Sequence, residues 1–185
     1  VRNDDLYDVA SITKVAATTM AAMKLYESGD FYPRQTLDYY LDDVQNTNKE
    51  HLVIQDVMAH QAGLQPWIPF YAETVVQDGS VQKPSPDLYR ANKEKDFTIQ
   101  VAEGLYLKDT HVDSIWKRIL DSKLRMSRGY RYSDLGFYIL AEIIERQTHN
   151  SLDRFTAREF YEPLGMVTTG YRPLDRFDID RIAPT

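Results

Sequence analysis

The stretch Tyr7-Asp8-Val9-Ala10-Ser11-Ile12-Thr13-Lys14-Val15-Ala16-Ala17 constrains this chain more than any other. A short extended run passes there directly into a long apolar-patterned helix. A serine in the first helical turn and a lysine three residues on share one face of the helix. That spacing lets an amine take the hydroxyl proton as acyl transfer begins. The helix N-terminus adds backbone N–H groups and a positive dipole end, which favour an oxyanion and a neutral lysine. The structural alternative makes Ser11 an N-cap, but a capping box wants Glu or Gln where Lys14 stands.

Two further S-x-x-K tetrads show how little the tetrad says without its setting. Ser80-Val81-Gln82-Lys83 lies among Gly79, Pro84 and Pro86 and reads as loop. Ser114-Ile115-Trp116-Lys117 falls inside an amphipathic helical pattern, where an exposed lysine is ordinary. Ser11 alone stands at a junction between elements.

The apolar periodicity predicts a mostly helical chain. The first helix spans about 11–28, with Ile12, Val15, Ala16, Thr19, Met20, Met23 and Tyr26 as its core stripe and Gly29 at C′. Others are expected at about 54–60, 111–122, 134–148 and 151–162, the last with Ser151 as N-cap and Pro163-Leu164-Gly165 behind it. Residues 64–110 read as loops with helical turns near 70–77 and 87–91, since no run alternates with period two. Trp67, Ile68, Phe70 and Tyr71 are read as core aromatics, with a pocket wall or partner face as the alternative.

With 185 residues, 43% of them apolar, the chain suits a single domain with a sizeable core. A net charge of −6 argues against nucleic acid or an anionic membrane as partner. No apolar run reaches transmembrane length. Zero cysteines exclude disulfides, zinc–thiolate sites and a thiol nucleophile. Asp and Glu are plentiful, but no spacing singles out a glycosidase pair across a cleft.

A second segment, Tyr130-Arg131-Tyr132-Ser133-Asp134-Leu135-Gly136-Phe137, leads a polar turn into an apolar helix. Tyr132 is either a packing residue or a general base whose phenol is acidified by a neighbouring ammonium. Ser133 or Asp134 would cap the helix.

Taken in order, Ser11-Ile12-Thr13-Lys14, Met58-Ala59-His60-Gln61-Ala62-Gly63-Leu64, Tyr132-Ser133-Asp134 and Glu162-Pro163-Leu164-Gly165-Met166 resemble the serine β-lactamase-like hydrolases. That group includes class C β-lactamases and D-Ala-D-Ala carboxypeptidases. Trp67-Ile68-Pro69-Phe70-Tyr71 and the ending Arg181-Ile182-Ala183-Pro184-Thr185 look most like modules fused behind glycoside hydrolase family 3 β-N-acetylglucosaminidases.

The resemblance implies a penicillin-binding-protein-type fold, with Ser11 as nucleophile, Lys14 as partner amine, Tyr132 as the tyrosine of a Y-x-N motif and no metal or organic cofactor. It implies a covalent acyl-enzyme on a cell-wall-derived peptide, amide or ester, and a periplasmic or cell-envelope location. The Ser11 N–H would form half of an oxyanion hole, and His60 and Gly63 a structural turn. Asp134 replaces the motif's asparagine; an ionised carboxylate cannot donate, so it must pair with Lys14, cap its helix or be protonated. The family's K/H-[ST]-G strand has no match in the sequence.

Residues 1–185 are therefore expected to be a partial domain, the mainly α helical lobe of an α+β fold with its sheet strands missing. Such a lobe would be inactive by itself and would expose the face that meets its parent's sheet lobe. A non-catalytic binding or packing module is the rival reading, with Asp134 as the mark of decay.

Overall fold

The organising element is a 14-residue helix that is apolar on its inner face. In the computed structural model, which describes residues 2–127 and 129–184, this helix (α4, Leu135–Thr148) is fourth of five. Leu135, Ile139, Leu140, Ile143 and Ile144 are all fully buried along it. Burying five such side chains is worth on the order of 10 kcal/mol before chain entropy is charged against it. His149, in the left-handed region at φ 52°, ends the helix.

Around α4 pack α1 (Met20–Ser28), which continues a π-helical segment at Lys14–Thr19, and α2 (Ile54–Met58). Then come α3 (His111–Asp121) and α5 (Leu152–Thr156), the latter running into a second π-helical segment at Ala157–Tyr161. The approach of α2 is close enough to require Gly136: a Cβ there would sit 2.9 Å from Val57 Cγ1 and 3.3 Å from Val57 O. Asp43 joins three elements, accepting from Trp116 Nε1 at 2.6 Å and from both Arg146 Nη atoms at 3.0 and 2.7 Å.

The expectation of a mainly α lobe lacking strands is overturned; the chain is α+β. Five strands occupy the region read as loops: β1 (Val75–Asp78), β2 (Val81–Pro84), β3 (Tyr89–Arg90), β4 (Ile99–Ala102) and β5 (Leu105–Leu107). They form an antiparallel β1–β2 hairpin and a three-stranded antiparallel sheet in the order β3-β5-β4. Each strand is two to four residues long; β1, β2 and β4 mostly face solvent, while β3 and β5 are half-buried apart from the buried Leu107, so no continuous buried face imposes a period of two. The overlooked signal was in the turns. Asp78 pairs with Val81 across Gly79-Ser80, and Ala102 with Leu105 across Glu103-Gly104, both two-residue loops with glycine at φ 62°. Of the two helical turns expected there, Phe70–Glu73 exists as a 3₁₀ turn, while 75–77 and 89–90 are strand.

The first helix ends as expected, with Gly29 at φ 83° and the Asp30 N–H bonded back to Leu25 O. Its buried face is not the expected stripe. Ala17, Thr18, Ala21, Ala22 and Leu25 face the core, whereas Ile12, Val15, Met23 and Tyr26 are exposed. Small residues let α1 lie close to α4 and α5, and packing distance prevailed over side-chain hydrophobicity. Similarly, Ser151 sits at the N-cap of α5 but makes no capping bond; the Leu152 N–H goes to Glu145 Oε1 at 2.6 Å.

Lys49 is wholly buried, with its ammonium on Leu120 O (2.8 Å), Ser122 O (2.6 Å) and Asn48 Oδ1 (2.9 Å), closing the C-terminus of α3. Burial pulls its pKa down to about 8. A depressed lysine binds fewer protons folded than unfolded between about 8 and its ordinary value, so its contribution to stability rises with pH across that window. Lys49→Met, compared with wild type by chemical denaturation, is expected to lose that rise. Lys49→Ala, which leaves a cavity as well as the unpaired carbonyls, is expected to cost about 2–4 kcal/mol at neutral pH.

Candidate active site

Before the first helix the backbone makes a strained corner. Ala10 adopts φ 44°, a left-handed conformation unusual for alanine, with its N–H held by Asp8 Oδ1 at 2.7 Å. Ile12, Thr13 and Lys14 then donate to Val9, Ala10 and Ser11 carbonyls at 2.9–3.1 Å. Ser11 lies exposed at the outside of this turn, and among the described residues its N–H has no acceptor. The π-helical turn follows at once. Two hydroxyls accompany its wider winding: Thr19 Oγ1 donates to Lys14 O at 2.8 Å and Tyr161 OH to Ala16 O at 3.0 Å.

Lys14 Nζ is the hub. It donates to Ser11 Oγ at 3.0 Å and to Asp134 Oδ1 at 2.6 Å, and lies 5.0 Å from the Tyr132 ring centre and 5.9 Å from that of Phe137. The four residues singled out from sequence, Ser11, Lys14, Tyr132 and Asp134, thus converge from segments about 120 residues apart. Of the three fates open to Asp134, pairing with Lys14 is the one observed; it holds the N-cap position of α4 without a side-chain capping bond.

The charges follow from this packing. Burial works to lower the Lys14 pKa, but hydrogen bonding to Asp134 and Tyr132 outweighs it and holds the ammonium above the ordinary lysine value. The Tyr132 phenol is acidified, first by hydrogen bonding to Lys14, then by hydrogen bonding to Ser11. A positive Lys14 beside an acidified phenol makes Tyr132 the better candidate to accept the serine proton.

The 131–134 turn is built on the 60–66 turn. Arg131 N–H donates to His60 O (2.9 Å), Ser133 N–H to His60 Nδ1 (3.2 Å) and Asp134 N–H to Pro66 O (2.8 Å), while Ser133 Oγ–H donates to Gln65 O at 2.6 Å. The ring of His60, to which the sequence assigned no chemistry, also lies against Tyr132, tilted by 41° with ring centres 4.5 Å apart. The signal available was its place in the 58–64 motif; the contact with Tyr132 is purely tertiary. Pro66, Tyr130, Arg131 and Tyr132 line an open cleft of about 390 Å³ beside these groups. The aromatic segment before β1 divides: Ile68 and Phe70 pack on the core, while Trp67 and Tyr71 are exposed.

The other S-x-x-K serines play no part. Ser80 is in the β1–β2 turn, Lys83 pairs with Asp78 and Lys117 with Asp121, both at 2.5 Å. A larger cavity of about 480 Å³ lies against the 157–161 segment and the 166–176 turn, away from any candidate nucleophile. Asp38, Glu50 and His51 bring ligand atoms within 4.8 Å of one another, the metal-type grouping among the described residues, and share none of the Ser11 cluster.

Three comparisons bear on this arrangement. A family profile described as Beta-lactamase matches residues 1–181. The N-acetylmuramyl-L-alanine amidase of Bacillus subtilis (strain 168) is 28% identical over 177 residues, covering 92% of this chain and 34% of its own. A solved class C beta-lactamase superposes with a TM-score of 0.64 at 19% identity, over 99% of this chain and 41% of that one. A Beta-lactamase/D-alanine Carboxypeptidase from Yersinia pestis gives 0.61 at 20% identity, over 93% and 42%. The chain therefore spans roughly a third to two fifths of the proteins it matches.

Replacing Lys14 by Met is expected to return the Tyr132 phenol towards its ordinary value. An unchanged Tyr132 titration, followed through its ring-carbon NMR shift, would show that Lys14 does not acidify it.

Proposed function

The chain belongs to the Beta-lactamase family, and from that premise we propose that it carries the nucleophile side of a serine hydrolase site. Ser11 forms a covalent acyl-enzyme with a cell-wall-derived peptide, amide or ester. The observation that carries this reading is Lys14 Nζ, 3.0 Å from Ser11 Oγ and 2.6 Å from Asp134, beside an acidified Tyr132.

In the proposed reaction the Ser11 hydroxyl gives its proton to the Tyr132 oxygen as Oγ bonds to the substrate carbonyl carbon. Lys14, kept charged by Asp134, stabilises the negative phenol oxygen before that transfer. The Ser11 N–H, which has no acceptor among the described residues, receives the resulting oxyanion. Collapse breaks the bond to the leaving amine or alkoxide, which takes the proton from Tyr132. Water then attacks the acyl group with Tyr132 again as base, and Ser11 leaves with the proton restored. Tyr132 carries the proton in both halves of the reaction.

Support for a cell-envelope substrate and location comes from the relatives, an N-acetylmuramyl-L-alanine amidase and a putative D-alanyl-D-alanine carboxypeptidase of Escherichia coli (strain K12) among them. No helix among the described residues is long and apolar enough to cross a membrane. We read the exposed Ile12, Val15, Met23 and Tyr26 as the face that meets a sheet lobe of the same parent, which would bring the second oxyanion donor. The likeness of residues 67–71 to modules fused to β-N-acetylglucosaminidases suggests that kind of parent.

A fluorophosphonate reagent is expected to label the parent protein at Ser11, and Ser11→Ala to abolish labelling; equal labelling of both would sink the assignment. Residues 1–185 alone are expected to label about a hundred- to a thousand-fold more slowly, the cost of one missing oxyanion donor. Rapid stoichiometric labelling of that chain would remove the need for a second wall. Asp134→Asn removes the carboxylate that raises Lys14, so the Lys14 titration is expected to move down, as NMR of the Nζ or Cε signals would report.

A further inference from the structure

Outside the Ser11 cluster, His60 meets the turn that carries Tyr132 through both its backbone and its ring. It follows the short helix α2 with φ 58°, a left-handed backbone that histidine adopts more readily than most side chains. Its own N–H closes back on Val57 O at 3.1 Å, and its carbonyl receives Arg131 N–H at 2.9 Å. Its ring lies between Tyr132 (4.5 Å), Phe137 (5.5 Å) and Tyr130 (6.1 Å). The Ser133 N–H points at Nδ1 from 3.2 Å, so that nitrogen must offer a lone pair, and the imidazole is neutral with its proton on Nε2. Backbone groups on both sides of Tyr132 are therefore fixed to one histidine.

We propose that His60 is a positioning residue for Tyr132, and that the phenol keeps its place beside Ser11 and Lys14 only while His60 Nδ1 carries no proton. The role given to Tyr132 rests on the serine-hydrolase reading; the positioning itself does not. Protonating Nδ1 would turn an acceptor into a donor facing another donor, and would add a second cation next to Lys14. The charged or titratable groups facing the imidazole are Lys14 from the first helix, Asp134 at the head of α4, and Tyr130 and Tyr132 of the turn. Burial first, and Lys14 second, press the His60 pKa below the ordinary histidine value, with Asp134 partly opposing them. A depressed histidine is neutral at pH 7 and takes up its proton only below the usual range, so the turn is intact at neutrality and loosens in acid.

The test has two arms, the first on the 185-residue chain. Long-range proton–nitrogen NMR resolves the four histidines and is expected to show His60 as the Nε2–H tautomer at neutral pH. The Tyr132 ring-carbon shifts should then follow the His60 titration in acid. In His60→Asn the side-chain carbonyl can still accept from Ser133, and asparagine tolerates the left-handed backbone. That variant is expected to keep the neutral-pH Tyr132 shifts and lose their acid inflection, whereas His60→Ala shows the displaced shifts already at neutral pH. A protonated Nδ1 at pH 7, or the same Tyr132 inflection in His60→Asn, overturns the proposal, and the wild-type and asparagine arms decide it even if His60→Ala does not fold.

The second arm, fluorophosphonate labelling of the parent, is expected to fall about tenfold in acid with the His60 titration in wild type and to lose that limb in His60→Asn. Labelling that proves independent of Ser11 would remove the hydrolase reading and leave the NMR result standing.

Discussion

The ion pair between Lys14 and Asp134 is the constraint on which the site depends. It joins the start of the first helix to the start of α4 across 120 residues of chain at 2.6 Å. A hydrogen bond between charged groups is worth about 1.5–3 kcal/mol, less where water reaches it, as at Asp134, whose side chain stays 36% exposed. Stability therefore does not rest on the pair; the buried face of α4 provides far more. What the pair decides is charge: it keeps Lys14 positive.

Two turns make that pair possible. The strained corner at Ala10 presents Ser11 outward, and the 60–66 turn gives three acceptors to the N–H groups of Arg131, Ser133 and Asp134. Behind both stands the contact of α2 with α4 at Gly136, where a methyl group would already crowd Val57. Core packing, turn geometry and the protonation state of the site form one connected arrangement.

The helices and the chemistry-bearing residues were legible because their signals are local. Ser11 and Lys14 share a helix face by spacing alone, and α3 and α4 carry unbroken amphipathic patterns. The strands were not legible by periodicity, since two- to four-residue strands with exposed faces bury nothing that could impose it. The face of α1 was misjudged for the opposite reason: the apolar stripe was real, but alanines that permit close approach won the core.

The sequence by itself determined the Ser11–Lys14 spacing, the turn that bears Tyr132, the main helices and the family resemblance, all of them set by short-range spacing and residue chemistry. The tertiary structure alone decided that Asp134 would bind Lys14 rather than cap its helix, that His60 would brace Tyr132, and that the chain would be α+β. Each of those outcomes depends on which distant groups come within about 3–5 Å of one another, and a linear pattern holds no such distances.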